Sequence, residues 1–243
     1  MTNWRGLGRA ACAARGLWLG CGLLFAVGCG QEQPAPPADS TEQAYFPLVA
    51  GSWWEYAHSD RAEMVTVETA DFNGALAFQM SDSPNSDGLR SDSIITSVNG
   101  RAARMTKEEY LVSATGETLT SSVSYGVGFT RFNESWANQA VGFTESPEYE
   151  RVETAGGVVK APEARRHTFE VIALDDELST PKGTFRCIVI QRTKDWEAAA
   201  ASALGEEAET KRYWFARGVG KVQELNVESG KAELLTDFSI PSQ

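Results

Sequence analysis

From Tyr45 to its end the chain runs in short stretches of branched and aromatic residues punctuated by turn residues, and that texture admits few folds. Met64-Val65-Thr66-Val67-Glu68-Thr69 and Ala75-Leu76-Ala77-Phe78-Gln79-Met80 flank Asn73-Gly74. Asn and Gly tolerate the positive φ that a two-residue hairpin turn demands, so this pair predicts a β-hairpin. Further strands are predicted near 92–98, 101–106, 109–113, 118–124 and 127–132. Later ones fall near 148–153, 166–174, 184–193, 211–217, 220–227 and 231–239. Glu228-Ser229-Gly230-Lys231 predicts the last tight turn. Runs this short, spaced by turns, argue against alternating βαβ units. The expected fold is mainly β: an antiparallel meander forming a curved sheet, half-barrel or barrel, with at most one or two short helices. Only 196–208 has strong helix propensity, interrupted by Gly205, and is expected to be a short surface helix or an ordered insertion.

The N-terminal part carries an address. Arg5, Arg9 and Arg15 precede the apolar run Gly16–Val27, with no acid among them. That run is about a dozen residues long, where a spanning helix needs about 20, so it reads as an export leader. An uncleaved anchor and ordinary secretion are the alternatives. Phe25-Ala26-Val27-Gly28-Cys29 resembles the lipobox of bacterial lipoproteins, with Ala26 where Leu is usual. Cys21 also follows a Gly, but too short an apolar run precedes it. No paired arginines precede the run, which favours the general secretory route. The resemblance implies cleavage between Gly28 and Cys29, and acyl chains such as palmitate on Cys29. Each buried CH₂ contributes about 0.8 kcal/mol, and stable anchoring takes more than one chain. Gly30, where inner-membrane retention typically uses Asp, implies the outer membrane, facing the periplasm or the cell surface. Residues 29–44, with Pro34, Pro36 and Pro37, form an expected tether whose reach at ~3.1 Å per residue is on the order of 40 Å. The expected organisation is therefore a signal peptide (1–28), a lipidated tether (29–44) and one β domain (45–243).

Charge and cysteine usage narrow the partners. The chain has 22 Lys and Arg against 33 Asp and Glu, and removing residues 1–28 takes the balance from −11 to −14, because three arginines leave. Such a surface is a poor match for nucleic acid or for an anionic leaflet. The expected membrane contact is the lipid anchor alone. With Cys12 and Cys21 in the leader and Cys29 acylated, Cys187 has no intramolecular disulfide partner, so stability must come from an ordinary core.

Three segments carry a resemblance. Tyr45-Phe46-Pro47-Leu48 with Gly51-Ser52-Trp53-Trp54-Glu55-Tyr56, then Pro181-Lys182-Gly183-Thr184-Phe185-Arg186-Cys187, then Tyr213-Trp214-Phe215-Ala216-Arg217-Gly218-Val219-Gly220-Lys221-Val222 occur in order. Together they resemble the TapB-like and related outer-surface β domains of secreted bacterial lipoproteins. Arg217 stands where Pro is common, and residues 80–165 match nothing in that group. The resemblance implies a mostly β, non-catalytic domain and no known substrate, so it carries over no functional site. Read on its own, 185–190 has apolar residues at both parities, which predicts a central strand covered on each side.

Chemistry-bearing motifs are few. The sequence has no nucleophile elbow, zinc-protease motif, phosphate loop or dinucleotide fingerprint. A Cys187–His167 pair fails on paper: a hairpin placing Leu174 opposite Thr184 leaves His167 roughly 14 Å from Cys187. Asp175-Asp176-Glu177 is expected in that hairpin's solvated loop. Asp82, Asn85, Asp87 and Asp92 miss the calcium-loop register, since Ser83 and Ile94 fall at ligand positions. No metal or cofactor is expected. Trp53, Trp54, Tyr213 and Trp214 are the candidate pocket residues, with core packing as the alternative. The leading expectation is a non-enzymatic envelope lipoprotein binding a ligand or protein partner. The second is a carrier of lipid or another small apolar ligand, and the third an envelope hydrolase.

Overall fold

The structure, a computed structural model, describes residues 44–194 and 209–242. The leader, residues 29–43 of the tether and the helix expected at 196–208 lie outside them. Fifteen strands build one open, curved, antiparallel sheet. They are β1 (Trp53–Ala57), β2 (Ala62–Phe72), β3 (Ala75–Asp82), β4 (Leu89–Val98), β5 (Arg101–Ser113), β6 (Gly116–Asn133), β7 (Thr144–Glu145) and β8 (Glu148–Ala155). There follow β9 (Val158–Val159), β10 (Glu163–Arg166), β11 (Thr168–Thr180), β12 (Gly183–Thr193), β13 (Thr210–Ala216), β14 (Gly220–Asn226) and β15 (Ala232–Ser239). Among the described residues the only helical element is a 3₁₀ turn at Glu134–Asn138.

The sheet is two meanders zipped together. Its order runs β10-β8-β6-β5-β4-β3-β2-β1 and continues β15-β14-β13-β12-β11-β7, with β9 paired on β8. β1 joins the halves by pairing with β15, Trp54 opposite Phe238 and Tyr56 opposite Leu235. Asn73 and Gly74 adopt φ of 57° and 80° between β2 and β3, as the hairpin signal requires. The turn at 228–231 likewise separates β14 from β15.

The long strands differ from their sequence reading. β5 and β6 each run continuously where two strands are expected, because the polar dips are accommodated as register shifts rather than breaks. Asp175-Asp176-Glu177 lies inside β11 rather than in a loop. Thr184 pairs with Ser179, not Leu174, and Cys187 pairs with Asp176. The backbone hydrogen bonds of β12 hold this acidic run extended, and Asp175 accepts from Arg186 at 2.5 Å.

Two apolar clusters sit on this sheet. One is rich in rings: Phe132, Trp136, Phe169 and Phe215 meet at centroid separations of 4.6 to 5.3 Å. Such pairs are worth about 0.5–1.5 kcal/mol beyond their burial. Because Phe132 is on β6 and Phe169 on β11, this cluster ties the two meanders together. The second gathers Trp54, Val65, Val67, Cys187, Val222 and Leu235. β12 serves both, with Ile188 and Ile190 in the first and Cys187 in the second, as its two-sided apolar pattern predicts.

Candidate ligand cavity

A cavity of about 190 Å³ is lined from both meanders. The segment before β1 enters it first. Tyr45 and Phe46 donate their backbone N–H groups to the Glu134 carboxylate, both at 3.1 Å. Tyr45 is thereby fixed in the ring cluster while Phe46 and Pro47 reach the cavity. Trp54 and Tyr56 follow on one face of β1, held by Trp54 Nε1 donating to the Val219 carbonyl (2.5 Å) and the Tyr56 hydroxyl donating to the Lys221 carbonyl (3.0 Å). Gly220, at φ 100°, lets β14 approach this wall: a Cβ there would sit 3.4 Å from Trp54 Nε1. Two of the three segments singled out in the sequence thus meet at one surface. The departure at Arg217 is also accounted for, since its guanidinium lies 4.4 Å from the Tyr45 ring centroid.

Only one of the four expected pocket residues lines the cavity. That residue is Trp54. Trp53 borders a shallow depression beside Gly51 and Thr66, because adjacent strand residues point to opposite faces. Tyr213 is buried in the ring cluster. Trp214, on the other face of β13, donates to Asp176 at 2.7 Å. Cys29 and Gly28 lie outside the described residues. Cys187 is buried, and burial together with Asp176 pushes its thiol up to about 12. His167 precedes β11, so a path of roughly 30 Å along the strand separates it from Cys187. The acids of 82–92 have local partners: Asp82 accepts from Ser91 (2.5 Å), Asp92 from Arg90 (2.5 Å), and Asn85 from the N–H groups of Asp87 and Leu89 (2.9 Å each).

Most of the remaining lining is ionisable, which no motif announces, with Val65, Met80 and Ser93 between the charges. On β14 and β15, Lys221 pairs with Glu233 and, at 3.5 Å, with Glu224, and its Nζ lies 4.6 Å from the Tyr56 ring centroid. Glu224 also pairs with Lys211 at 2.5 Å. Burial would lower Lys221, but Glu233 and Glu224 outweigh it and hold the ammonium well above its ordinary range. Burial would raise Glu224, but Lys221 and Lys211 hold it well below the usual carboxylate range. Glu63 on β2 pairs with His58 (2.8 Å) and Arg61 (3.0 Å).

The opposite wall is different. Arg104 on β5 and Arg131 on β6 line the cavity, and among the described residues neither makes an ion pair with a carboxylate. The buried Nε of Arg104 has no hydrogen-bond partner. Burial, then the neighbouring Arg131 charge, push Arg104 down to about 10. Asp82, raised by burial, lies beyond ion-pair distance. One signal was available in the sequence: Glu63 shares the strand parity of Val65 and Val67, so its carboxylate had to face inward.

No protein-family profile matches the chain, and no curated protein does. Two solved structures are similar. One is a candidate exported protein with a YmcC-like fold from Bacteroides fragilis, at 10% identity and a TM-score of 0.47, covering 82% of this chain and 100% of that one. The other is a candidate lipoprotein from Parabacteroides distasonis, at 12% identity and a TM-score of 0.43, covering 81% and 99%. Likeness at this level says nothing about what this chain does.

Proposed function

We propose that this chain is a lipid-anchored envelope protein whose β body binds a small ligand in the cavity between its two meanders, without catalysing a reaction. The anchoring half rests on the leader and Cys29, with Gly30 favouring the outer membrane. The resemblance of the 45–56, 181–187 and 213–222 segments to TapB-like lipoproteins belongs to this same reading. The binding half is carried by one observation: a cavity walled by Lys221, Glu224, Glu233, Glu63, Asp82, Arg104 and Arg131. Burying charge around a space is costly, and functional sites are where proteins retain it.

A polar ligand fits this lining better than an apolar cargo does. Ligand pockets usually run to about 300–1,000 Å³, and a lipid chain needs that room; about 190 Å³ holds roughly six waters' worth of volume at ~30 Å³ each. A binding role is favoured over a hydrolytic one because the buried thiol of Cys187, raised to about 12, is a poor nucleophile and His167 is far from it.

Two measurements test the two halves. Cys29→Ala should move the full chain from the detergent phase to the aqueous phase, and unchanged partition would remove the anchor. Mass spectrometry of small molecules released from the detergent-extracted chain should find a bound polar compound. A copurifying phospholipid would replace this reading with the carrier.

A further inference from the structure

The two walls of the cavity are not equivalent, and the inequality specifies a ligand class. On β14 and β15 each acid already has its cation: Glu233 has Lys221, and Glu224 has Lys221 and Lys211. Glu63 has Arg61 at 3.0 Å. These side chains border the cavity, yet they have no charge left to offer a ligand. On β5 and β6 two guanidinium groups lie close enough to repel, with no carboxylate paired to either among the described residues. Arg104 donates a hydrogen bond to Tyr125, and Asp82 on β3 attracts it only from beyond ion-pair distance.

A guanidinium stays charged in proteins and presents its donors in a planar fork. Two like charges in one wall repel, and the buried Nε of Arg104 has no acceptor, which is unfavourable away from water. Both penalties vanish when an oxyanion sits between the forks, because it accepts from both at once. The fold itself holds the pair in place. Arg104 is fixed by strand pairing with Ile95 on one side and Phe129 on the other. Arg131 lies 6.0 Å from the Phe129 ring centroid.

We propose that Arg104 and Arg131 form a binding site for the oxyanion of a small organic acid, whose apolar part lies against Trp54, Val65 and Met80. Carboxylate and phosphoryl groups share this chemistry, and a volume near 190 Å³ suits a ligand of about the size of an amino acid. The proposal rests on reading the cavity as a binding site and adds the sign and size of what it holds.

The test is calorimetric titration of the detergent-extracted full chain with benzoate and, separately, with inorganic phosphate. Saturable binding of at least one is expected, weakened tenfold or more in both Arg104→Met and Arg131→Met. Lys107→Met, which removes a surface charge outside the cavity lining, should leave it unchanged. Arg104→Lys keeps the charge without the fork and should fall between. Preference for benzoate over phosphate identifies the carboxylate as the group recognised, and the reverse identifies the phosphoryl group. Binding that both Met variants retain overturns the arginine site. Failure of both anions, with a neutral or cationic compound released from the chain, overturns the anion assignment and leaves the cavity as a binding site. Failure of both anions with nothing released overturns the two together.

Discussion

The ring cluster and the charged cavity are built by neighbouring strands, yet they settle buried polarity differently. In the cluster, the Trp136 indole N–H donates to Glu145 at 2.7 Å and His167 sits neutral among Phe129, Tyr149 and Phe169. Burial, then the charges of Arg192, Lys194 and Arg165, push His167 down to about 3. Around the cavity Lys221 and Glu224 hold each other charged, while Arg104 and Arg131 make no ion pair with a carboxylate among the described residues. The ring cluster is not free of unmet polar atoms, since among the described residues His167 Nδ1 and Arg192 Nε have no hydrogen-bond partner, but it packs them against rings and encloses no space. A region organised for occupancy leaves some polar atoms to be satisfied by what enters.

Substitutions should separate the two regions. The largest loss is expected from Trp136→Ala, since Trp136 is 1% exposed and touches Phe132 and Phe169. Truncating a buried aromatic to Ala typically costs about 3–5 kcal/mol, measurable by urea unfolding. A smaller loss, about 2–3 kcal/mol, is expected from Lys221→Met. That change leaves Glu233 without its cation, whereas Glu224 keeps Lys211. If Lys221→Met costs as much as Trp136→Ala, the cavity wall is structural core and the contrast between the regions collapses.

The third effect depends on pH. His167 binds its proton less readily folded than unfolded, so the unfolded chain protonates first as pH falls through about 6.5. Stability should therefore be fully present above that pH and decline below it, continuing toward about pH 3, by up to about 1.4 kcal/mol per unit. His167→Phe, which suits the surrounding rings, should flatten the decline between pH 6.5 and 4.5. Below about 4.5 the protonation of Glu224, held low by its lysines, adds its own loss. An unaltered slope in the variant would mean that His167 titrates freely.

How much of this was legible in the sequence follows from what strands encode. Alternation and turn chemistry revealed the β fold, the hairpin at Asn73-Gly74 and the two-sided burial of β12. They did not reveal that β1 pairs with β15, because contacts between distant strands leave no local trace. Asp175–Glu177 was misplaced because three successive acids resemble a loop, while Arg186 and Trp214 give two of them partners within a strand. Trp53-Trp54 and Tyr213-Trp214 are adjacent pairs, and the pleat sends one of each pair to the other face. Arg104 and Arg131 carry no motif, since their significance lies in the carboxylates that are missing beside them.

The most direct measurement is the melting temperature of Arg104→Met in the full chain without added ligand. Replacing a buried, unpaired charge with an apolar side chain of similar length removes a penalty. The account predicts a Tm about 2–4 °C above that of the unaltered chain, the scale of 1 kcal/mol in a protein this size. A fall comparable to that of Trp136→Ala would show that Arg104 supports the fold, and would contradict the division between a region built to be stable and a region built to be filled.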